Sequence, residues 1–272
     1  MSRRRLRSDT LATALTGAVL EVGVLLREWR SDARATSGVW EGSQFKAEAD
    51  AMAHGALSDR LRALEPGVPV LSEEDSASLV SDRPGVHWMI DPIDGTASFV
   101  HGYPGYVTQA ALMEGGAPVV AAIYAPENDV MYAAVRGVGA TRNGDHLPRL
   151  SPAPVGTGAL IDNTPEPRGI ALAAYRHFGF GEYQESGSIG LKLCRVAEGA
   201  AQLFVKDVPV RDWDVAAPQL VLEETGAGLL RLDGTRFDHR GGYESGGLIA
   251  GTDEAACAEV ARWHRSRSGP AR

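Results

Sequence analysis

Two carboxylates and a hydroxyl group lie close together at positions 91–96, which read Asp-Pro-Ile-Asp-Gly-Thr. The preceding run at 86–90 is apolar, and the turn residues around it predict a buried strand. The end of this strand would present Asp91 and Asp94 with the carbonyl of Ile93 between them. Such oxygen donors are the ligands that Mg²⁺ prefers, so the segment is a candidate metal site.

The residues that follow Asp94 could bind an anion beside such a metal ion. Gly95 lets the backbone approach a ligand closely because it has no side chain. The amides of Gly95, Thr96 and Ala97 could open a helix, and the first N–H groups of a helix have no partner within it and bind phosphate. One short segment therefore offers ligands for both a divalent cation and a phosphate group.

Two further acidic segments are candidates for additional ligands. Residues 72–75 read Ser-Glu-Glu-Asp and follow a predicted short strand at 68–71. A run of charge is usually a solvated turn, but three adjacent carboxylates repel each other unless a cation compensates them. Asp214 begins a helix predicted at 214–226, where an aspartate is also a common N-cap. Both segments thus have a structural and a functional interpretation.

The elements that must position these residues begin with two helices. Apolar residues recur at helical spacing between Leu11 and Trp29, and a second helical pattern runs from about Lys46 to Leu64. The stretch 31–45 between them is rich in Ser and Gly and is predicted to be a loop. The strands that follow are expected as an antiparallel meander at 107–113, 119–124, 130–135 and 140–142.

The Pro-rich stretch 151–158 is the predicted boundary between two halves of the chain. Residues 1–150 form an α+β half that carries most of the candidate ligands, and residues 151–272 form an α/β half in which helices and strands alternate. The helices of the second half are expected at 166–177, 189–198, 214–226 and from about 253. Its strands are expected at 159–162, 201–205, 229–232 and 248–250. The predicted fold class is therefore α/β.

Composition and charge exclude several classes of protein. The chain has 272 residues, 44% of them hydrophobic, and a net charge of -8. This charge argues against binding to a nucleic-acid polymer or to an anionic membrane surface. No apolar run is expected to approach membrane-spanning length, and the arginines near the N-terminus precede no clean signal-peptide core, so we expect a cytoplasmic protein. Cys194 and Cys257 are expected to be buried thiols.

Taken together, three segments resemble the signature of the inositol monophosphatase superfamily, whose members are Mg-dependent, lithium-sensitive phosphatases. The segments are 71–75, 91–96 with 98–104 after it, and 213–217. They occur in the order typical of the family and span most of the chain, so together they are more specific than one short motif. The resemblance implies a layered αβαβα sandwich, hydrolysis of a phosphate monoester and, commonly, a homodimer.

The resemblance also implies the metal ligands. Two or three Mg²⁺ ions would be bound, with Mn²⁺ as a possible substitute. The residues implied as ligands are Glu73, Asp91, Ile93 through its carbonyl, Asp94 and Asp214. Asp91 would bridge two ions, and Glu74 would lie just outside the ligands. In this scheme Glu73 also counts as catalytic, because it holds the ion that carries the attacking water.

A second implied pair is Asp50 and Thr96, in which the aspartate polarises the hydroxyl group that orients this water. On its sequence alone Asp50 is an ordinary acidic residue in the first turns of a helix. The threonine that usually precedes it in the family is missing, since 46–50 reads Lys-Ala-Glu-Ala-Asp. The phosphate group would be bound by the amides of Gly95 and Thr96, beside Asp94.

The resemblance places Ser188, Ile189 and Asp207 at the rest of the substrate. Ser188 is equally well interpreted as an N-cap, and Asp207 as a turn residue before Pro209. Both interpretations stay open at the level of the sequence.

The substrate itself is left open between several small phosphate monoesters. The segments 98–104 and 187–194 resemble the inositol monophosphatases, which makes inositol 1-phosphate the best single candidate. The segment 71–75 and Lys192 resemble the nucleotidases that act on phosphoadenosine phosphate. Histidinol phosphate and a sugar or nucleoside phosphate of a specialised pathway are further alternatives. An enzyme acting on phosphodiesters and a non-catalytic binding module are less favoured, because the surface is acidic and the repelling carboxylates are all present.

Overall fold

The chain begins with two helices joined by a short hairpin. The computed structural model describes residues 3–41, 44–76, 83–103 and 105–267. The first elements are α1 (Arg3–Trp29), β1 (Gly38–Glu41), β2 (Gln44–Ala47) and α2 (Glu48–Leu64). The hairpin of β1 and β2 corrects the loop predicted at 31–45. Val39, Trp40 and Phe45 have high strand propensity, but the Ser and Gly residues around them obscured the pattern.

Helix α1 also corrects an expectation about membranes. By length and composition alone, its stretch Ser8–Trp29 is long and apolar enough to span a bilayer, so the expectation that no run approaches this length was wrong. The core helix of a globular protein passes the same test. Leu15, Val19, Val22 and Leu26 are fully buried in the core that α1 shares with α2. In this fold α1 is thus a packing element.

A seven-stranded sheet forms the centre of the first half. Its strands, in chain order and in spatial order, are β3 (Val70–Ser72), β4 (Val86–Asp94), β5 (Val107–Glu114), β6 (Ala117–Ala125), β7 (Val130–Val135), β8 (Gly139–Arg142) and β9 (Asp145–His146). β3 and β4 are parallel, and every later neighbour is antiparallel, which confirms the predicted meander. β4 continues through the acidic motif to Asp94, four residues beyond the predicted end. Short helix α3 (Thr96–His101) follows it.

The second half contains a five-stranded mixed sheet. In spatial order its strands are β11 (Glu182–Glu185), β10 (Ala159–Asp162), β12 (Leu203–Lys206), β16 (Leu248–Gly251) and β14 (Gly228–Arg231). A separate two-stranded ribbon pairs β13 (Val210–Arg211) with β15 (Glu244–Ser245). β11 was not predicted, because its sequence, Glu-Tyr-Gln-Glu, has no apolar run; it forms by pairing with the edge of β10.

Four helices pack on this second sheet. They are α4 (Gly169–Phe178), α5 (Ile189–Ala197), α6 (Asp212–Thr225) and α7 (Glu254–Arg267). α4 begins three residues later than predicted, because Pro167 and the N-cap Arg168 precede it and the left-handed Gly169 (φ 52°) is its first residue. α6 begins two residues earlier than predicted. Asp214 is therefore the third residue of the helix and not its N-cap, which is Arg211.

The elements stack in five layers, which confirms the predicted αβαβα sandwich. One core lies between α1, α2 and the first sheet, and it contains Trp88 and Ile90. The central core lies between the two sheets and is filled by α5 and α6. The outer core lies between the second sheet and the pair α4 and α7. Because α6 packs on both sheets, the halves share a core, and the division at residue 151 stays a prediction.

The two cysteines lie in these cores as free thiols. Cys194 on α5 and Cys257 on α7 are both fully buried and unpaired, as the sequence predicts. Burial raises the pKa of both thiols above the usual value, so neither is a ready nucleophile.

Candidate active site

Strand β4 delivers two aspartates into the space between the sheets. The pairing of β4 with β5 is irregular between Asp91 and Asp94, so both carboxylates turn to the same side of the strand. The Ile93 amide donates to Asp91 Oδ1 at 3.1 Å. Gly95 then adopts φ 93°, a left-handed conformation that favours glycine, and α3 begins at the next residue. The local chain thus ends a strand, presents its carboxylates and opens a helix within five residues.

Helix α6 adds a third carboxylate to the pair. One oxygen from each of Asp91, Asp94 and Asp214 lies within 4.8 Å of the others. The Arg211 amide holds Asp214 by donating to its Oδ2 at 2.8 Å. Carboxylate oxygens at this spacing suit a hard divalent cation, so these residues fit the metal that the sequence implies.

The electrostatics of this cluster are unfavourable without a cation. Burial raises the pKa of Asp91 well above the usual value, and the charges of Asp94, Glu73 and Asp214 raise it further. The pKa of Asp214 is raised in the same way, by burial and then by the charge of Asp94, against the stabilising amide of Arg211. A bound cation would reverse both effects, since it favours the ionised carboxylates.

Asp50 and Thr96 meet at the edge of this cluster. Thr96 Oγ1 lies 3.1 Å from Asp50 Oδ1 and 3.2 Å from the carbonyl of Ile93, and it can donate to either. The Ala47 amide donates to the other carboxylate oxygen of Asp50 at 2.7 Å. Burial raises the pKa of Asp50 to about 7, and the charge of Glu74 adds to the effect. The structure therefore brings together the aspartate and the hydroxyl group that sequence reasoning paired.

Groups at the N-terminus of α5 donate hydrogen bonds to the carboxylate of Asp94. Ser188 Oγ donates to Asp94 Oδ2 at 2.6 Å, and the amides of Ile189 and Gly190 donate to its two oxygens at 3.2 and 2.5 Å. Ser188 Oγ also accepts the Leu191 amide at 2.9 Å, so it is an N-cap as well. The expected substrate residues Ser188 and Ile189 thus lie against Asp94.

The acidic turn after β3 lies close to the same cluster. Glu73 and Glu74 are both half-buried there. The charge of Glu73 raises the pKa of Asp91 and of Asp214, and the charge of Glu74 raises the pKa of Asp50. Glu73 thus borders the tight trio of aspartates without belonging to it.

Asp207, also a predicted site residue, lies apart from the aspartates of the cluster. It is exposed in the turn between β12 and β13. Within the described ranges, no hydrogen bond or ion pair joins it to the aspartates. The signature residue Pro104 lies outside the described residues.

Two lysines lie beside the carboxylates in this otherwise acidic protein. Lys192 on α5 is fully buried, with its Nζ donating to the Ser186 carbonyl at 3.0 Å and lying 4.9 Å from the centre of the Phe204 ring. Burial and the charge of Lys206 lower the pKa of Lys192 to about 7, against the charges of Asp162, Asp94 and Asp214. Lys206 is half-buried, and its charge also acts on Asp214.

Sequence reasoning missed two residues that hold these elements in place. Gln109 lies opposite Asp91 in the sheet, and its Nε2 donates to the carbonyls of Trp213 and Asp214 at 2.9 and 3.2 Å. Its polar side chain in a mostly apolar strand was a usable signal. Arg30 donates to the carbonyls of Ser98 and Phe99 in α3, a long-range contact that no local pattern predicts.

Comparison with known proteins identifies relatives for this arrangement. The bisphosphate nucleotidase CysQ of Escherichia coli K12 is 34% identical over 196 residues, which cover 70% of this chain and 78% of CysQ. The inositol-1-monophosphatase SuhB of Mycobacterium tuberculosis H37Rv is 35% identical over 188 residues, which cover 64% of each chain.

Solved structures agree with these sequence relatives. An inositol monophosphatase from Anabaena superposes with a TM-score of 0.75 at 25% identity, over 93% of this chain and 94% of that one. An enzyme described as an inositol monophosphatase and NADP phosphatase, complexed with NADP and Ca²⁺, superposes with a TM-score of 0.81 at 21% identity, over 96% and 97% of the two chains. At that identity the second likeness shows the fold alone.

The model of the inositol monophosphatase family matches residues 7–265, nearly the whole chain. Together with the relatives above, this match shows that the chain belongs to the inositol monophosphatase family and is a metal-dependent phosphatase.

Proposed function

We propose that this enzyme hydrolyses a small phosphate monoester with the help of two or three Mg²⁺ ions, with Mn²⁺ as a substitute. The observation that carries the proposal is the convergence of Asp91, Asp94 and Asp214 beside the hydrogen-bonded pair of Asp50 and Thr96. An all-oxygen donor set of carboxylates is typical of Mg²⁺ or Mn²⁺ and unlike the sites of softer metals. When bound, such ions neutralise a phosphate dianion and activate water at neutral pH.

The proposed ligands combine the trio of aspartates with neighbours on β4 and the turn after β3. They are Glu73, Asp91, the Ile93 carbonyl, Asp94 and Asp214. Support for Glu73 is its electrostatic effect on both Asp91 and Asp214, which requires that it lie near them. Glu74 acts on Asp50, so we place it beside the water-activating pair.

The remaining residues would act on the attacking water and on the phosphate group. Thr96 would orient the water through its Oγ1, which would donate its own proton to Asp50 at 3.1 Å. The amides of Gly95 and Thr96 at the start of α3 would donate to the phosphate oxygens. Ser188, Ile189 and Asp207 would border the rest of the substrate. Cys194 and Cys257 are buried with raised pKa values, so neither thiol is available to form a covalent intermediate. This agrees with direct attack by water.

Among substrates, Lys206 favours a molecule with a second anionic group. It is half-buried, whereas Lys192 is fully buried, and its charge acts on both Asp214 and Lys192. A neutral polyol offers such a cation no partner, whereas a nucleoside bisphosphate does. We therefore place a 3'(2'),5'-bisphosphate nucleotide, the substrate class in the name of the CysQ relative, first. Inositol 1-phosphate is the second candidate, supported by the SuhB relative.

The deciding experiment is release of inorganic phosphate from a panel of monoesters with Mg²⁺, and again with added Li⁺. The panel contains phosphoadenosine phosphate, inositol 1-phosphate, histidinol phosphate and several sugar phosphates. We expect the bisphosphate nucleotide to have the highest kcat/KM and lithium to inhibit. An equal kcat/KM for inositol 1-phosphate would contradict the role given to Lys206. No release from any compound, with Mg²⁺ bound, would contradict the proposed activity.

We further propose a cytoplasmic homodimer. The free cysteines suit a reducing compartment. Light scattering on the purified full-length chain measures the mass directly, and a mass of 28.8 kDa would contradict the dimer. Fractionation of cells checks the compartment, and recovery of the protein with membranes would contradict it.

A further inference from the structure

A buried ion cluster that sequence reasoning did not predict lies at the start of α6. The carboxylate of Asp212 is 2.7 Å from the guanidinium group of Arg83 and 2.9 Å from Nδ1 of His239. The exposed fractions of the side chains of Asp212, Arg83 and His239 are only 3%, 11% and 0%. Burial alone would raise the pKa of Asp212, but the neighbouring His239 and Arg83 lower it. The carboxylate therefore stays ionised without contact to solvent.

Further contacts tie this cluster to its surroundings. His239 Nε2 lies 2.8 Å from Oε1 of Gln219, which is about two helical turns further along α6 than Asp212. Arg83 donates to the carbonyl of His239 and lies 4.1 Å from the centre of the Tyr243 ring. The Asp212 amide donates to the Tyr243 carbonyl at 2.9 Å. Three separate segments are thus fastened together: the chain at Arg83, the N-terminus of α6, and the stretch from His239 to Tyr243.

Strand β4 and helix α6, which supply the trio of aspartates, both connect to this cluster. Arg83 lies between the acidic turn that contains Glu73 and strand β4, which carries Asp91 and Asp94. Asp212 is two residues before Asp214 on α6. One oxygen from each of Asp91, Asp94 and Asp214 lies within 4.8 Å of the others, so the carboxylates of β4 and α6 repel each other until a cation binds. A bond between these segments opposes that repulsion.

We propose that Asp212, held by Arg83 and His239, is a positioning residue that fixes Asp214 against β4 and so sets the geometry of the metal site. The inference rests on the metal binding proposed above, and it adds a supporting cluster that itself touches neither metal nor substrate. Residues that hold metal ligands in place typically change metal affinity about 10–100-fold when they are removed.

The test is direct binding of Mn²⁺ to the full-length protein, measured by electron paramagnetic resonance, together with thermal unfolding in EDTA. The double variant Arg83→Met with Asp212→Asn removes both opposite charges, so it leaves no uncompensated buried carboxylate. We expect it to remain folded and to bind Mn²⁺ about tenfold more weakly than the wild type. Arg83→Lys keeps the positive charge but has fewer N–H donors. We expect its Mn²⁺ affinity to lie between those of the wild type and the double variant.

The matched control is Arg136→Met. Arg136 pairs with Glu223 at 2.8 Å, near the other end of α6 and on the surface. This variant also removes an arginine that pairs with an acid on α6, and we expect wild-type Mn²⁺ affinity. Wild-type affinity in the Arg83 variants as well would overturn the inference, whatever their melting temperatures. A wild-type protein that binds no Mn²⁺ would instead overturn the proposed function, and the inference with it.

Discussion

The carboxyl group of Asp91 is placed where an ionised group is costly unless a cation is present. It is buried, and the charges of Asp94, Glu73 and Asp214 act on it together. We expect Asp91→Asn to abolish turnover and to stabilise the metal-free protein by at least about 1 kcal/mol, because it removes like-charge repulsion. Phosphate release and thermal unfolding in EDTA measure the two effects. Retained activity, or a lower melting temperature in EDTA, would count against this account of the cluster.

Thr96 has a narrower role, which a conservative substitution can separate from packing. Its Oγ1 is 3.1 Å from Asp50 Oδ1, and its methyl group is dispensable in this scheme. We expect Thr96→Ala to lower kcat on the order of 100-fold with little change in KM, since the loss falls on the transition state. Thr96→Ser keeps the hydroxyl group and should retain most of the activity. If KM alone rose in Thr96→Ala, the residue would bind substrate and not orient water.

At the scale of elements, the N-terminus of α5 must approach β4 and β5 very closely to hold Asp94. A Cβ atom on Gly190 would lie 2.5 Å from Gln109 Oε1 and 3.0 Å from Asp94 Oδ2. We expect Gly190→Ala to displace the start of α5 and to reduce activity at least about tenfold, with some loss of stability. Kinetics and thermal unfolding provide the measurements.

The control for this variant is another helical glycine with free space around it. A Cβ atom on Gly17 in α1 would meet no atom within 4 Å. Gly17→Ala should therefore stabilise the protein by about 0.5–1 kcal/mol through helix propensity and leave activity unchanged. If the two substitutions changed activity and stability equally, the close approach of α5 to β4 would not be the reason for a glycine at position 190.

At the scale of the whole molecule, the buried carboxyl groups make stability depend on pH. The pKa of Asp50 is raised from 3.8 to about 7 in the folded state, so between these values the folded protein binds a proton that the unfolded chain has released. Stability in EDTA must then fall as pH rises from about 4 to about 7, by up to about 4 kcal/mol for this group. Asp91 and Asp214 act in the same direction.

Thermal unfolding in EDTA across this pH range checks the prediction, with Asp50→Asn as the matched variant. The variant lacks the titrating group, so its stability should fall less steeply than that of the wild type over the same interval. Because bound Mg²⁺ favours the ionised carboxylates, its stabilising effect should grow as pH rises. Parallel curves for the two proteins in EDTA would contradict the raised pKa of Asp50.

The sequence by itself determined the family and the fold class, and it predicted the three aspartates that the structure brings together. The signature segments indicated the family, and strong local patterns indicated the elements. The apolar run before Asp91, the helical spacing in α1 and the meander of β5 to β8 depend only on neighbours in the chain. Predictions failed where local signals were weak. The hairpin of β1 and β2 lies in a Ser- and Gly-rich stretch, and β11 exists because the edge of β10 pairs with it.

Only the tertiary structure decided how distant parts of the chain meet. Asp214 joins Asp91 across more than 100 residues because α6 packs between the two sheets, and Gln109 fastens that helix to β5. The cluster of Arg83, Asp212 and His239 likewise combines residues from three segments. Local sequence patterns carry no information on such contacts, since the free energy that forms them comes from burying surfaces far apart in the chain.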